Sequence, residues 1–136
     1  MRRSYVALAL GFAAAFLAVL LFHQPVIGLL KTLGLIAASP YSLQPVPPLG
    51  TPRVLSLAFW GGVWGIVFAL IRPYLPAKRN AFLLAGLVFG ALAPTLFSWF
   101  VLGRGIPATW WRGLVINGAW GFGTALLLIG FDRLRR

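Results

Sequence analysis

Few side chains in this chain can do chemistry, and their types set narrow limits. One histidine, His23, stands beside Gln24; one carboxylate, Asp132, stands beside Arg133; and the 136 residues include no cysteine. A thiolate nucleophile, a disulfide or a cysteine-ligated metal is thereby excluded. Paired-carboxylate catalysis within one chain is excluded as well, because there is no second carboxylate. A lone histidine makes a poor zinc site, and haem would need another ligand. No metal, cofactor or catalytic residue is expected, and no complete catalytic constellation marks the chain as an enzyme. What remains is a set of neutral polar and indole groups: His23, Gln24, Ser98 and Asn117, with Trp60 and Trp64. Such groups can contact a ligand or answer to protons. They can equally staple helices together. Asn117 is the most informative, since an amide in an apolar stretch seeks a partner across a helix interface, from His23, Gln24 or Ser98.

These residues lie in or beside long apolar runs. Sixty per cent of the chain is hydrophobic and 10 per cent charged, against about 25 per cent charged in soluble domains. A water-soluble fold of this size could not hide so much apolar surface. The expected architecture is an all-α integral membrane four-helix bundle, a single transmembrane domain over 1–136, with spans at about 5–22, 54–71, 81–102 and 114–131. The first run would extend about 27 Å, close to the hydrocarbon thickness of a bilayer. It reads as an uncleaved anchor, because "FHQPV" after it offers no small-residue cleavage site. Pro25 suits a helix break and a new start. The shared face of Val26, Leu29, Leu30, Leu33 and Ile36 then predicts a short interfacial helix over about 25–38. Residues 40–53 hold five of the ten prolines and read as a proline-rich outer loop.

A formal net charge of +11 invites a nucleic-acid reading, but the placement of the charges argues against one. The Lys and Arg residues sit at or between the ends of apolar runs, where headgroups would meet them. With the N-terminus inside, the inner segments hold Arg2, Arg3, Arg72, Lys78, Arg79, Arg133, Arg135 and Arg136. The outer segments hold Lys31, Arg53, Arg104 and Arg112. That bias favours both termini in the cytoplasm. Asp132 reads as a charge partner for Arg133 and Arg135.

Glycines mark how the helices meet. "FWGGVWGIVFAL" carries Gly61, Gly62 and Gly65, and a weaker copy, "NGAWGFGTALL", carries Gly118 and Gly121. Gly11 stands in a small-residue ladder with Ala7 and Ala15, and Gly86 and Gly90 form a G-x-x-x-G. Each is a face along which a helix backbone can approach closely. Shifted by 75 residues, Leu8, Gly11, Leu17, Ala18 and Phe22 fall on identical residues; the second and fourth spans align at a shift of 56. Duplication of a helical hairpin and chance matching in a biased composition both account for this. A duplication would give two tandem hairpins in the same orientation.

"LFHQP" (Leu21 to Pro25) with "SLAFWGGVWGIVFAL" (Ser56 to Leu70) resembles small uncharacterised four-span bacterial inner-membrane proteins. The resemblance implies a multi-pass location in the bacterial cytoplasmic (inner) membrane, and no activity. Two functional classes are expected from the residues. The preferred one is an interaction or accessory protein whose Gly/Ala helix faces pack against a second copy or a larger membrane complex. The alternative is a minimal oligomeric transporter or channel using the outer polar cluster. The lipid bilayer is the expected partner in both, and nucleic acid in neither.

Overall fold

The computed structural model describes residues 2–136, with side chains from Ser4 onward. Met1 and the Arg2 and Arg3 side chains, which enter the charge bias above, lie outside the described residues. The elements are α1 (Arg2–Ala18), a π-helical turn (Val19–His23), α2 (Gln24–Thr32), β1 (Pro45–Val46), β2 (Thr51–Pro52), α3 (Arg53–Ile71), α4 (Arg79–Leu96) and α5 (Trp110–Leu134). A 3₁₀ turn (Arg72–Tyr74) extends α3, and a second π-helical turn (Phe97–Val101) extends α4. The result is four helical rods, Ser4–Thr32, Arg53–Tyr74, Arg79–Val101 and Trp110–Leu134, each long and apolar enough to cross a membrane. Large apolar side chains face outward on all of them, for example Leu21, Leu70, Leu84 and Leu126.

The first rod differs from the sequence expectation. Helix continues through Pro25, so the separate interfacial helix over 25–38 does not form. Backbone accounting gives the reason. In the π turn a carbonyl bonds the amide five residues on, as the Val19 carbonyl does with the Gln24 N–H. On that register the Leu20 carbonyl faces residue 25, a proline without an N–H. Tyr41 supplies the missing donor: its hydroxyl donates to the Leu20 carbonyl at 2.5 Å. The helix stops only at Gly34, φ 72°. There the Gly34 and Leu35 amides bond back to the Lys31 and Leu30 carbonyls, a Schellman ending that favours glycine. Tyr41→Phe is expected to cost about 1 kcal/mol, the worth of one hydrogen bond to a carbonyl left without its partner. Denaturant unfolding in mild detergent measures it.

Two antiparallel hairpins form the bundle, α1 with α3 and α4 with α5. Their seams are built alike. A methyl group added at Gly11 would lie 2.6 Å from the Gly65 carbonyl oxygen and 2.7 Å from Ala69 Cβ. One added at Gly86 would lie 2.7 Å from the Gly121 carbonyl oxygen and 2.6 Å from Ala125 Cβ. The 75-residue shift carries Gly11 to Gly86, and the 56-residue shift carries Gly65 and Ala69 to Gly121 and Ala125. Equivalent residues therefore make equivalent contacts in the two halves. Backbone meets backbone at both crossings, which only missing side chains permit.

Where the hairpins join, the likeness ends. α1 lies against α5 along much of its length, while α3 and α4 stand apart. Aromatic rings fill the wider seam: Trp64 on Phe97 (centroids 5.4 Å apart), Phe68 on Phe89 (5.0 Å) and Phe68 on Phe82 (5.6 Å). On the close side Trp120 is 3% exposed, among Ala15, Ala18, Val19 and Ala58. Its indole N–H donates to the Ala15 carbonyl at 3.0 Å.

Both chain ends reach the same end of the bundle. There Asp132 pairs with Arg72 of the α3 extension, not with Arg133 or Arg135 as the sequence suggested. Arg133, the next residue, faces another side of the helix; Arg135 is within reach by spacing, but Arg72 on the adjacent rod takes the carboxylate. Arg72 also lies over the Phe82 ring, 5.1 Å from its centroid.

Candidate functional site

At the opposite end, a cavity of about 230 Å³ opens between α2, the start of α3 and the first turns of α5. Its polar lining is His23, Gln24, Ser39, Ser42, Arg53 and Asn117. Three helices and a loop bring these together, and each contributes for a local reason. The continuous first rod carries His23 and Gln24 up beside α5. The proline-rich segment turns back over α2, where Pro40 packs on Gly28, and so brings Ser39 and Ser42 to the rim. A two-residue antiparallel ladder, Pro45 opposite Pro52 and Val46 opposite Thr51, closes that segment and delivers Arg53 to the start of α3.

Gln24 is the fixed point of the site. It is 1% exposed, and a buried amide demands partners. The Tyr41 backbone N–H donates to Gln24 Oε1 at 2.7 Å. A backbone N–H can only donate, so this contact settles which amide atom is the oxygen. Gln24 Nε2 therefore donates to His23 Nδ1 at 3.1 Å. A neutral His23 must then carry its proton on Nε2. Tyr41 thus holds this corner twice, by its amide here and by its hydroxyl at Leu20. It does so at φ 53°, a backbone region that L side chains rarely adopt.

Asn117 stands across from this pair on α5. Its Nδ2 donates to Thr95 Oγ1 at 2.9 Å, and Thr95 is 3% exposed. Of the partners expected for Asn117, His23 lies within hydrogen-bonding reach of it, whereas Gln24 is engaged by Tyr41 and His23. Thr95, not among the expected partners, accepts from Asn117 because its side chain faces α5 beside Gly113. Ser98 lies farther along, in the π turn, and its hydroxyl accepts from Arg104 Nη1 at 3.4 Å.

The six residues expected at one depth therefore separate. His23, Gln24 and Asn117 share the cavity; Ser98, Trp60 and Trp64 do not line it. Trp60 is 59% exposed beside Phe59. Trp64, one turn further along α3, packs into the aromatic seam with Phe89 and Phe97. Residues 60 and 64 share a face of α3, and lying at the cavity's depth does not turn that face toward the cavity. Arg53, Ser39 and Ser42 were not foreseen as site residues. Their only sequence signal was proximity to prolines, and the path of the loop decided where they went.

The cavity's chemistry is one-sided. Arg53 is exposed at its rim, and the chain's single acidic side chain is engaged by Arg72 at the other end of the bundle. No carboxylate of the chain can neutralise Arg53, while the hydroxyls, amides and imidazole around it offer hydrogen bonds. Such a lining suits a small anion with further polar atoms. Comparison with protein-family models, with curated proteins and with solved structures finds no match to this chain.

Proposed function

We propose that the chain is a four-span membrane protein that receives a small anionic solute in the His23–Gln24–Arg53–Asn117 cavity, as a binding or conducting protein. Four long apolar rods with outward-facing leucines support the membrane placement, because so much apolar surface needs lipid around it. The excess of Arg and Lys at the end holding the termini supports a cytoplasmic location for that end, with the cavity on the outer side. Resemblance to small four-span proteins points to the bacterial inner membrane. Matching contacts at the two glycine crossings support two tandem hairpins.

One observation carries the functional reading: three of the polar residues picked out from the sequence converge on one cavity, beside an arginine without a carboxylate. The accessory role loses its particular support. Gly11, Gly61, Gly62, Gly65, Gly86, Gly90, Gly118 and Gly121 all meet neighbours within the chain, which leaves none of these notches for a partner.

Thermal unfolding of the full chain in mild detergent, with and without millimolar acetate, lactate or succinate, tests the reading. A bound anion raises the melting temperature by mass action. The rise is expected with at least one of the three and is lost in Arg53→Gln, an exposed position whose change leaves the unliganded melting temperature alone. Absence of any rise with the wild-type chain, or an equal rise in Arg53→Gln, sinks it.

A further inference from the structure

The end that holds the termini carries a second concave site, with a different character. A cleft of about 720 Å³ lies between the α3–α4 connection and the last turns of α5. Arg72, Arg79, Arg133, Arg136 and the single carboxylate, Asp132, line it. Arg72 is committed to Asp132 and to the Phe82 ring. Arg79, Arg133 and Arg136 are exposed at the cleft, and the sequence has no other acidic side chain to offer them. With Asp132 taken up by Arg72, three exposed guanidinium groups leave the concavity net positive, which favours an anion from outside.

The remaining walls are apolar, formed by Ala7, Ala69, Leu75 and Ile129. Ala7 and Ala69 belong to the α1–α3 hairpin and Ile129 to α5, so this wall lies at the end of the bundle between the two hairpins. Arginines at one edge and a greasy wall beneath them make an amphipathic cleft.

We propose that this cleft binds a phosphate-bearing anion through Arg79, Arg133 and Arg136, with a phospholipid headgroup as the source that its apolar wall fits. Guanidinium forks match phosphate oxygens two at a time. A headgroup seated there would lay its acyl chains on the apolar wall, whereas inorganic phosphate would use only the arginine edge. The site does not depend on the solute cavity at the other end.

Native mass spectrometry of the full chain, released from detergent containing either phosphatidylglycerol or phosphatidylcholine, tests this. The wild-type chain is expected to retain phosphatidylglycerol, and Arg79→Gln/Arg133→Gln/Arg136→Gln to retain at least about tenfold less, the loss of charge-assisted hydrogen bonds. Arg104→Gln, at the opposite end, is expected to retain as much as wild type. Inorganic phosphate is the competing probe. If it displaces the lipid, the arginine edge alone suffices; if it does not, the wall contributes. Either result upholds the arginine site, provided the triple variant loses binding. Equal retention by the triple variant and wild type overturns the proposal, and so does retention indifferent to headgroup charge. All three arginines are exposed, so folding of the variant is expected to match wild type, and its melting temperature checks that.

Discussion

Gly65→Leu is expected to unfold the chain, and Gly121→Leu to do the same. A side chain at Gly65 would run into the Gly11 carbonyl and the Ala15 methyl; one at Gly121 would run into the Gly86 carbonyl and the Gly90 Cα, the latter at 2.7 Å. These obstacles are mainly backbone, which has no rotamer to yield. Overpacking a tight core costs about 1–3 kcal/mol where side chains can shift, so a clash with two helix backbones should exceed about 3 kcal/mol. Most of a small domain's stability disappears at that level. Gly130 is the internal control. It lies on α5 with open space where a side chain would go, and leucine is the better helix former by about 0.8 kcal/mol. Gly130→Leu should therefore melt at or above the wild-type temperature. Size-exclusion profiles and melting curves in mild detergent separate the cases. A Gly65→Leu protein that elutes and melts like wild type would show that the α1–α3 crossing is not backbone on backbone.

This result also marks where sequence reading reached and where it stopped. The glycines were legible as places of close approach because a missing side chain has one physical consequence, whatever the neighbour. Which neighbour was not legible. Gly61-x-x-x-Gly65 could have met a second chain, and it meets α1 of the same chain because the connection returns α3 antiparallel to it. Four apolar helices followed from run length and from the few charges interrupting them. Pro25 misled, because the usual break assumes that no other donor is at hand for the freed carbonyl. Tyr41, more than twenty residues away in the loop, provides one, and nothing local announces it. The polar site was half visible for a similar reason. His23, Gln24 and Asn117 stood out as polar groups at apolar run ends. Arg53, Ser39 and Ser42 joined them only through the fold of the proline-rich segment.

Trp120→Ala is expected to loosen the joint between the two hairpins and cost about 3 kcal/mol, the lower end for emptying a large aromatic site. The lower end applies because an apolar ring lost from a helix bundle in detergent gives up packing and a hydrogen bond, with little transfer from water to lose. Trp120 reaches from the second hairpin into the first. It lies among Ala15, Ala18, Val19 and Ala58, and bonds the Ala15 carbonyl. A methyl group at Gly61 would sit 3.2 Å from its indole nitrogen, so the ring occupies the groove that this glycine leaves. Trp120→Phe divides the effect. It keeps most of the ring contact and removes the N–H, and should cost about 1 kcal/mol for the hydrogen bond and a little more for the smaller ring. Trp60→Ala supplies the baseline, since Trp60 is mostly exposed and touches Phe59 of its own helix; its cost should stay within about 0.5 kcal/mol. The order Trp60→Ala, Trp120→Phe, Trp120→Ala in unfolding free energy tests the joint directly. Should Trp120→Ala fall level with Trp60→Ala, the hairpins are not held together at that ring, and the aromatic seam between α3 and α4 must carry the contact instead.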